Sequence, residues 1–230
     1  MPGYLYISDV FCPWCYGFAP VFSRLRKDYP QFPVRLLSGS LVEEPVTVAQ
    51  MKAHSPTIRD FFLRLEKTTG RSAEGFIRLL DEDASICLHS LKSNKLLMAM
   101  RRLCPQTALE QMETLQTALY AEGKDVLNLE TLKTLLPALG IDAERCFALL
   151  EDPALEAAVT EEMETALDIL DEFPVYPTLF LERGSELIPL TRGYAPYPTV
   201  RAKLDNALAG IESTPTYMEG AACGLDGNCC

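Results

Sequence analysis

The sequence predicts an α/β fold in which an all-helical segment interrupts a unit of strands and helices. Three observations carry this prediction. The chain opens with a strand–helix–strand pattern, and a long stretch of helical periodicity follows it. Strand-like segments return only near residue 174. The chain has 230 residues, of which 48% are hydrophobic, so it can bury a full core.

The opening unit is predicted from its apolar spacing. Tyr4–Ile7 is aromatic and β-branched, which indicates a buried strand. Apolar residues then recur at helical spacing from Phe18 to Tyr29, and Pro30 ends the pattern. Val34–Leu37 is the second predicted strand. A helix that joins two parallel strands makes a right-handed crossover, so these elements form half of an α/β unit.

The middle of the chain, from about Pro45 to Phe173, is helical in period almost throughout. Glycine or proline residues mark the breaks between successive helices. The predicted helices are Thr57–Thr68, Ala73–Leu80, Leu91–Leu103, Ala108–Ala121, Leu129–Leu139, Ala143–Leu150 and a long acidic helix at about Ala154–Asp171. The segment shows no internal repeat or low-complexity linker, so we expect it to pack as a helical insertion.

The final elements restore the strand pattern. Phe173–Leu181 leads through the turn at Arg183-Gly184-Ser185 into Leu187–Leu190, which predicts a hairpin. Pro189 suits an edge strand because proline cannot donate to a strand ladder. The last predicted helix is about Tyr197–Ala209.

Chemistry is indicated by Cys12-Pro13-Trp14-Cys15, which lies where the first strand ends and the first helix begins. Two cysteines at this spacing can close a small disulfide and reopen it. The unpaired N–H groups and the dipole at a helix start favour an anion, so the thiolate of Cys12 should be stabilised. Cys15 lies one turn along, where it can resolve a mixed disulfide. A structural disulfide and half of a zinc site are the alternatives, but no second Cys-x-x-Cys pair or His-x-x-x-His pair completes a zinc site.

The segment Ser8–Phe18 resembles the active site of a thioredoxin-fold protein, and specifically of the DsbA family. Its Ser-Asp-x-x-Cys-Pro-Trp-Cys-Tyr form is similar to the cytoplasmic branch called FrnE-like. That branch is related to the 2-hydroxychromene-2-carboxylate isomerases and the kappa-class glutathione transferases. Those enzymes typically lack the paired cysteines, so Cys12 and Cys15 favour the redox branch. Leu119–Asp125 strongly resembles the helical domain that interrupts the thioredoxin fold in the DsbA family.

The resemblance implies a thioredoxin-like domain at residues 1–43 and 174–210. A helical insertion would occupy residues 44–173, and a tail containing cysteines would occupy residues 211–230. It also implies a thiol–disulfide oxidoreductase or isomerase that acts on protein or peptide thiols and disulfides, and glutathione is a further candidate partner. The two sulfurs carry this chemistry, so no cofactor and no metal are expected.

Tyr176-Pro177-Thr178 resembles the cis-proline loop of the family. A cis bond at Pro177 would turn backbone polar groups of Tyr176 toward the Cys12 sulfur, where they can pair with an extended peptide. The substrate-binding residues are therefore expected to be Tyr176 and Pro177, together with Pro13 and Trp14. Tyr176 replaces the smaller residue usual in relatives, so it could narrow access to Cys12 or favour aromatic substrates.

Proton handling is expected to differ from that of many relatives. They place a buried carboxylate six residues before the first cysteine, where this chain has Tyr6. Asp9 is the nearest acid; it could assist proton transfer, or it could be a surface or capping residue. Trp14 is neutral where relatives carry a histidine, so no imidazolium supports the thiolate. We expect a reduction potential between those of thioredoxin, about −270 mV, and DsbA, about −120 mV.

Charge and composition limit the partners and the compartment. The net charge is −11, its acidic excess lies between Glu151 and Glu172, and no basic stripe occurs, so nucleic-acid binding is not expected. The first basic residue is Arg24, so the start lacks the charged region of a signal peptide. No apolar run is long enough to span a bilayer, and no membrane contact is expected. The expected compartment is the cytoplasm, where the 8 cysteines would be thiols.

Two other functions stay open: a glutathione-dependent transferase or isomerase on the same fold, and a thiol-rich protein that binds metal. The tail carries Cys223, Cys229 and Cys230, which could shuttle electrons, bind a soft metal or have no catalytic part. The Cys-Pro-Trp-Cys motif is complete without them, so the third interpretation is the expected one.

Overall fold

The computed structural model describes residues 2–171 and 173–210, and the backbone alone of 223–224. The strands in this part of the chain are β1 (Gly3–Ser8), β2 (Val34–Ser38), β3 (Val46–Thr47), β4 (Cys87–Leu88), β5 (Val175–Tyr176), β6 (Thr178–Arg183), β7 (Glu186–Arg192) and β8 (Cys223–Gly224). The helices are α1 (Pro13–Asp28), α2 (Val48–His54), α3 (Ile58–Thr69), α4 (Glu74–Asp81), α5 (Ser90–Leu103), α6 (Ala108–Tyr120), α7 (Leu129–Ala138), α8 (Ala143–Leu150), α9 (Pro153–Leu170) and α10 (Tyr197–Leu208), with a 3₁₀ turn at Pro105–Thr107.

The main sheet joins the two ends of the described chain, in the order β2-β1-β6-β7. β1 runs parallel to β2 and antiparallel to β6, which in turn pairs antiparallel with β7. All six residues of β1 are buried, as expected for a central strand that is covered on both faces. β7 lies at the edge of the sheet and contains Pro189, as predicted. The predicted α/β fold interrupted by helices is therefore confirmed.

The helices between β2 and β5 begin and end within a few residues of their predicted bounds. Sequence periodicity missed α2, which has only seven residues and begins with a capping box between Thr47 and Gln50. It also missed the two-residue strands β3 and β4, which pair with each other. Elements this short hold too few residues to show a period. The domain boundaries themselves stay a prediction.

The acidic helix α9 is tied to the sheet by an ion pair. Both carboxylate oxygens of Glu162 lie 2.8 Å from Arg101 Nη2, and Oε1 also accepts the N–H of Ser38 at 2.9 Å. Arg101 donates further to the carbonyl oxygen of Leu36 at 3.1 Å. These bonds fix the end of β2, which leads directly into the loop beside the Cys12 motif. None of the helices in the described part of the chain is both long and apolar enough to cross a membrane.

Candidate active site

The first turn of α1 is built around the sulfur of Cys12. Cys12 is the N-cap residue in an extended backbone conformation, and Pro13 is the first helical residue. The backbone N–H of Cys15 donates to Cys12 Sγ at 3.1 Å. Both cysteines are fully buried. A sulfur that accepts a first-turn N–H is placed where an anion is favoured, as the sequence predicted.

Asp9 holds the loop between β1 and α1. It is fully buried, so the surface location that the sequence left open is wrong. One carboxyl oxygen accepts the N–H of Phe11 at 2.7 Å and the other accepts the N–H of Leu41 at 3.2 Å. Its carbonyl oxygen accepts bonds from Cys12 N–H at 3.2 Å and from Gln116 Nε2 at 3.0 Å. Asp9 therefore fixes the backbone that leads into Cys12, and its part in proton transfer stays a prediction.

Tyr6, six residues before Cys12, lies in the interior of the protein on β1. Its side chain is almost fully buried. Burial raises the pKa of the Tyr6 phenol well above its usual range, and the charges of Cys15 and Cys12 raise it further. Tyr6 is therefore neutral around physiological pH and supplies no carboxylate to accept the Cys15 proton.

The loop at Tyr176 lies beside Cys12. The Tyr176–Pro177 peptide bond is cis, and the loop comes just beyond the pair formed by Ile7 and Thr178. Burial raises the pKa of the Tyr176 phenol, and the charges of Asp9, Cys15 and Cys12 raise it further.

The ring of Tyr176 points into the protein rather than toward a substrate. It is fully buried, and its hydroxyl accepts the N–H of Ser40 at 3.0 Å. A Cβ atom on Gly39 would lie only 2.3 Å from the Tyr176 ring. The ring therefore packs on the loop at residues 39–40, and in this conformation only the backbone of Tyr176 is left to dock a peptide.

This packing predicts that Gly39→Ala will weaken both the fold and peptide turnover. The added methyl must displace the Tyr176 ring, and overpacking of this kind costs about 1–3 kcal/mol. The free energy of unfolding from urea titration measures the first effect, and the rate with a disulfide peptide measures the second.

The double variant Gly39→Ala/Tyr176→Leu is the control, because a smaller side chain at 176 leaves room for the methyl. Its loss of stability should be smaller than the sum of the two single losses. If the two single losses of stability simply add up in the double variant, the proposed contact between residue 39 and the Tyr176 ring is wrong.

Trp14 and Pro13 differ in what surrounds them. Trp14 is 1% exposed and packs between Phe61 of α3 and Tyr194, at centroid distances of 5.7 and 5.9 Å. Its contact with substrate therefore stays a prediction that needs the site to open.

Pro13 lines an apolar cavity of about 420 Å³ under α2 and α3, together with Phe11, Val42, Met51, Ile58 and Phe61. A larger cleft of about 850 Å³ between α1, α5 and α6 contains none of the predicted site residues.

The tail reaches the same loop, which the sequence did not predict. The two-residue strand β8 pairs antiparallel with β5, with Cys223 opposite Tyr176 and Gly224 opposite Val175. Part of the tail therefore lies on the backbone expected to dock substrates. Cys229 and Cys230, the other tail cysteines, lie outside the described residues.

The other described cysteines have different surroundings. Cys146 is buried, and burial raises the pKa of its thiol to about 11. Cys87 and Cys104 are partly exposed. Within the described ranges, no group of three or more His, Cys, Asp or Glu side chains could hold a metal ion.

Sequence reasoning missed the residues that support the site from the helical insertion. Besides Gln116 on α6, Asn94 on α5 donates to the carbonyl oxygen of Gly39 at 2.7 Å. Both side chains are buried. The sequence does contain a signal for them, since each is a polar residue on the apolar face of a predicted helix. A buried amide needs a hydrogen-bond partner, so such a residue indicates a contact elsewhere in the fold.

Comparison with known proteins gives a family match and several structures with a similar fold. The sequence model of the DSBA-like thioredoxin domain family matches residues 6–169. Among curated proteins, the chain is similar to the ClpXP adapter protein SpxH of Shouchella clausii, with 22% identity over 218 residues that cover 92% of this chain and 69% of that protein.

Two solved structures share the fold. The first is a candidate protein disulfide isomerase from Nitrosomonas europaea, with a TM-score of 0.75 and 24% identity over 91% of this chain and 98% of that chain. The second is the cytosolic disulfide reductase DsbM from Pseudomonas aeruginosa with GSH, with a TM-score of 0.71 and 24% identity over 90% of this chain and 99% of that chain. Likeness at this level of identity establishes the fold alone.

Proposed function

Because the chain belongs to the DSBA-like thioredoxin domain family, we propose that it is a thiol–disulfide oxidoreductase whose redox centre is the Cys12–Cys15 pair. One observation carries the proposal: Cys12 caps α1, and the N–H of Cys15 donates to its sulfur at 3.1 Å. This placement favours the thiolate of Cys12, which is the nucleophilic form of a cysteine. Cys15 follows within one helical turn and is close enough to resolve a mixed disulfide.

In the reducing direction, the Cys12 thiolate attacks one sulfur of a substrate disulfide. A Cys12–substrate bond forms, the substrate S–S bond breaks, and the other substrate sulfur leaves as a thiolate that takes a proton. Cys15 then loses its proton and attacks the Cys12 sulfur. The substrate leaves with its second sulfur reduced, and the chain holds a Cys12–Cys15 disulfide. The oxidising direction is the reverse of these steps.

The substrate in this proposal is a protein or peptide. The backbone of Tyr176, before Pro177, pairs with an extended substrate segment in the manner of strand addition. The apolar cavity bordered by Phe11 and Pro13 would receive an apolar side chain near the substrate cysteine. In this proposal Pro13 contacts the substrate at the cavity, and Trp14 contacts it once the site has opened.

Glutathione is the proposed small-molecule partner, and the cytoplasm the proposed compartment. Support comes from the DsbM structure, which is described as a cytosolic disulfide reductase with GSH. A transferase or isomerase on this fold would also use glutathione. The presence of both Cys12 and Cys15 favours dithiol exchange instead, because neither of those activities needs a resolving cysteine.

The proposal predicts a reduction potential between about −270 and −120 mV for the Cys12–Cys15 pair. Trp14 is the only tryptophan in the chain and lies between the two cysteines, so its fluorescence should report their oxidation state. We would record it after equilibration in buffers of varied reduced and oxidised glutathione, with Cys12→Ser as the control that should show no transition.

Three outcomes would contradict the proposal. A fluorescence that stays constant at every glutathione ratio, with no disulfide found by mass spectrometry, would exclude dithiol cycling. A glutathione-dependent conversion that persists in Cys15→Ser would favour the transferase. Stoichiometric zinc in freshly purified protein would favour the metal-binding alternative.

A further inference from the structure

The cleft between α1, α5 and α6 gathers positive charge in an acidic chain. Its volume is about 850 Å³, and the chain around it has a net charge of −11. The charged side chains that line it are four basic and two acidic ones: Arg26, Lys27, Arg101, Arg102, Glu110 and Glu162. The lining therefore has a surplus of two positive charges, which favours an anionic ligand.

Two of these basic side chains have acidic partners and two do not. Arg26 pairs with Glu110 at 3.3 Å, and Arg101 pairs with Glu162 at 2.8 Å. Lys27 and Arg102 are exposed, and neither forms an ion pair with a residue in the described ranges. Lys27 lies in the last turn of α1 and Arg102 in the last turn of α5, where cations also complement the helix dipole. The dipole explains a cation at each helix end, but it does not explain why both ends meet at one cleft.

The cleft also contains the outer edge of the main sheet. β2 is an edge strand, and the carbonyl oxygen of Pro33 accepts the N–H of Tyr4 on β1 at 2.7 Å. Backbone groups of successive residues point to opposite sides of a strand, so those of Val34, Leu36 and Ser38 point away from β1.

Side chains already occupy the second half of this edge. The carbonyl oxygen of Leu36 accepts from Arg101, and the N–H of Ser38 donates to Glu162. In the first half, the N–H and carbonyl oxygen of Val34 and the N–H of Leu36 have no partner among the described residues. Val34 and Leu36 both line the cleft. Three backbone groups there are placed to pair with an added strand.

We propose that this cleft binds an acidic, extended segment of a partner protein, which adds to the outer edge of β2. A residue opposite Val34 in an antiparallel segment would exchange two backbone hydrogen bonds with it, and Leu36 N–H would donate a third. Carboxylates of the segment would pair with Lys27 and Arg102. Its apolar side chains would pack on the apolar part of the lining, which consists of Phe32, Val34, Leu36, Met98 and Leu109.

This site is separate from the Cys12 motif. Val34 lies four residues before Ser38, about 13 Å along the strand, and Ser38 is the residue that pairs with Ser8 at the end of β1. A short segment centred on Val34 therefore ends before it reaches Cys12. The inference does not depend on thiol chemistry, so binding in the cleft and exchange at Cys12 can be measured independently.

The test measures fluorescence anisotropy of a labelled short peptide, in which glutamate and valine alternate, as the full chain is added. Two control peptides separate charge from strand addition: one has lysine in place of glutamate, and one is N-methylated along the edge that would pair with β2. The acidic peptide should bind, and each control should bind at least about tenfold more weakly. Absence of binding by the acidic peptide, or equal binding by either control, would overturn the proposal.

Charge-reversal variants locate the binding. Lys27→Glu/Arg102→Glu should weaken binding of the acidic peptide by about tenfold or more. Lys67→Glu is the matched control, because Lys67 is an exposed lysine in the last turn of α3 and does not line the cleft. Equal affinities for these two variants would show that the peptide binds elsewhere and that the proposal is wrong.

A backbone variant tests the edge of β2. Val34→Pro removes an N–H that points away from β1, so the sheet should tolerate it. Val34→Ala is its control, because it shortens the side chain and keeps the N–H. Val34→Pro should weaken peptide binding more than Val34→Ala, and equal affinities of the two folded variants would argue against strand addition. If Val34→Pro does not fold, the N-methylated peptide decides the same point.

Two other occupants would give different results. Displacement of the peptide by inorganic phosphate, with no effect of N-methylation, would assign the cleft to a small anion. A dimer in sedimentation that is lost in Lys27→Glu/Arg102→Glu would assign it to a second copy of the chain. Either result would overturn the proposal.

The same variants keep this inference distinct from the proposed function. Cys12→Ser should bind the acidic peptide with unchanged affinity. Lys27→Glu/Arg102→Glu should keep the fluorescence transition of the Cys12–Cys15 pair in glutathione buffers. Loss of peptide binding with that transition intact would refute only the docking site.

Discussion

Replacing Cys12 by serine should abolish disulfide exchange, whereas replacing Cys15 by serine should stop the reaction half-way. A serine hydroxyl stays protonated at neutral pH and is a weak nucleophile, so Cys12→Ser leaves no attacking group at the N-cap of α1. Cys15→Ser keeps that group but loses the sulfur that resolves the intermediate. The chain should then accumulate Cys12 in a mixed disulfide with the substrate peptide.

Turnover of a fluorescent disulfide peptide and intact-mass analysis together check this prediction. Cys104→Ser is the matched control, because Cys104 is a partly exposed cysteine far along the chain from the motif, and it should retain the full rate. Alkylation near neutral pH should also modify Cys12 faster than Cys15. Turnover that survives in Cys12→Ser, or equal labelling of the two thiols, would overturn the assignment.

The fold was predictable because its main elements are long and strongly patterned. β1 reads as an unbroken apolar run since it is the central strand, and glycine or proline separates successive helices. The helix α2 was missed because its seven residues are too few to show a helical period. The pairing of β3 with β4 was not predictable, because it joins segments that are distant in the chain. Glu162 shows the same limit: it belongs to an acidic stretch, yet it pairs with Arg101 and Ser38.

The candidate site was predictable where local sequence decides the geometry. Cys12 caps its helix because a strand end, a proline and an amphipathic helix follow one another directly. The surroundings of Tyr176 were not predictable from local sequence, because the ring packs against Gly39, which lies more than one hundred residues earlier in the chain. The pairing of Cys223 with Tyr176 is equally non-local, since nothing in the sequence around Cys223 marks it as a strand.

Asp9→Asn should lower the stability of the protein by about 1–3 kcal/mol, and Asp9→Ala by roughly twice as much. The two carboxyl oxygens accept the buried N–H group of Phe11 and the partly buried N–H group of Leu41. Asparagine keeps one acceptor and turns an N–H₂ group toward the other donor, while alanine leaves both donors without this partner. Urea unfolding of the reduced protein measures the change. Asp168→Asn is the control, because Asp168 is exposed on α9 and its replacement should change stability by less than about 0.5 kcal/mol.

The same variants decide between the two roles that the sequence left open for Asp9. A residue that only fixes the loop affects turnover through stability, so folded Asp9→Asn should keep the pH profile of the exchange reaction. A group that passes the Cys15 proton would instead change that profile, because its own ionisation would no longer contribute. Asp9 bonds to the backbone of the loop before the motif, through Phe11, and of the loop after β2, through Leu41; its carbonyl oxygen accepts the N–H of Cys12. We therefore expect Asp9→Asn to lower stability and to keep the pH profile. If Asp9→Asn is instead as stable as Asp168→Asn and shifts the pH profile of exchange, the role of Asp9 is proton transfer.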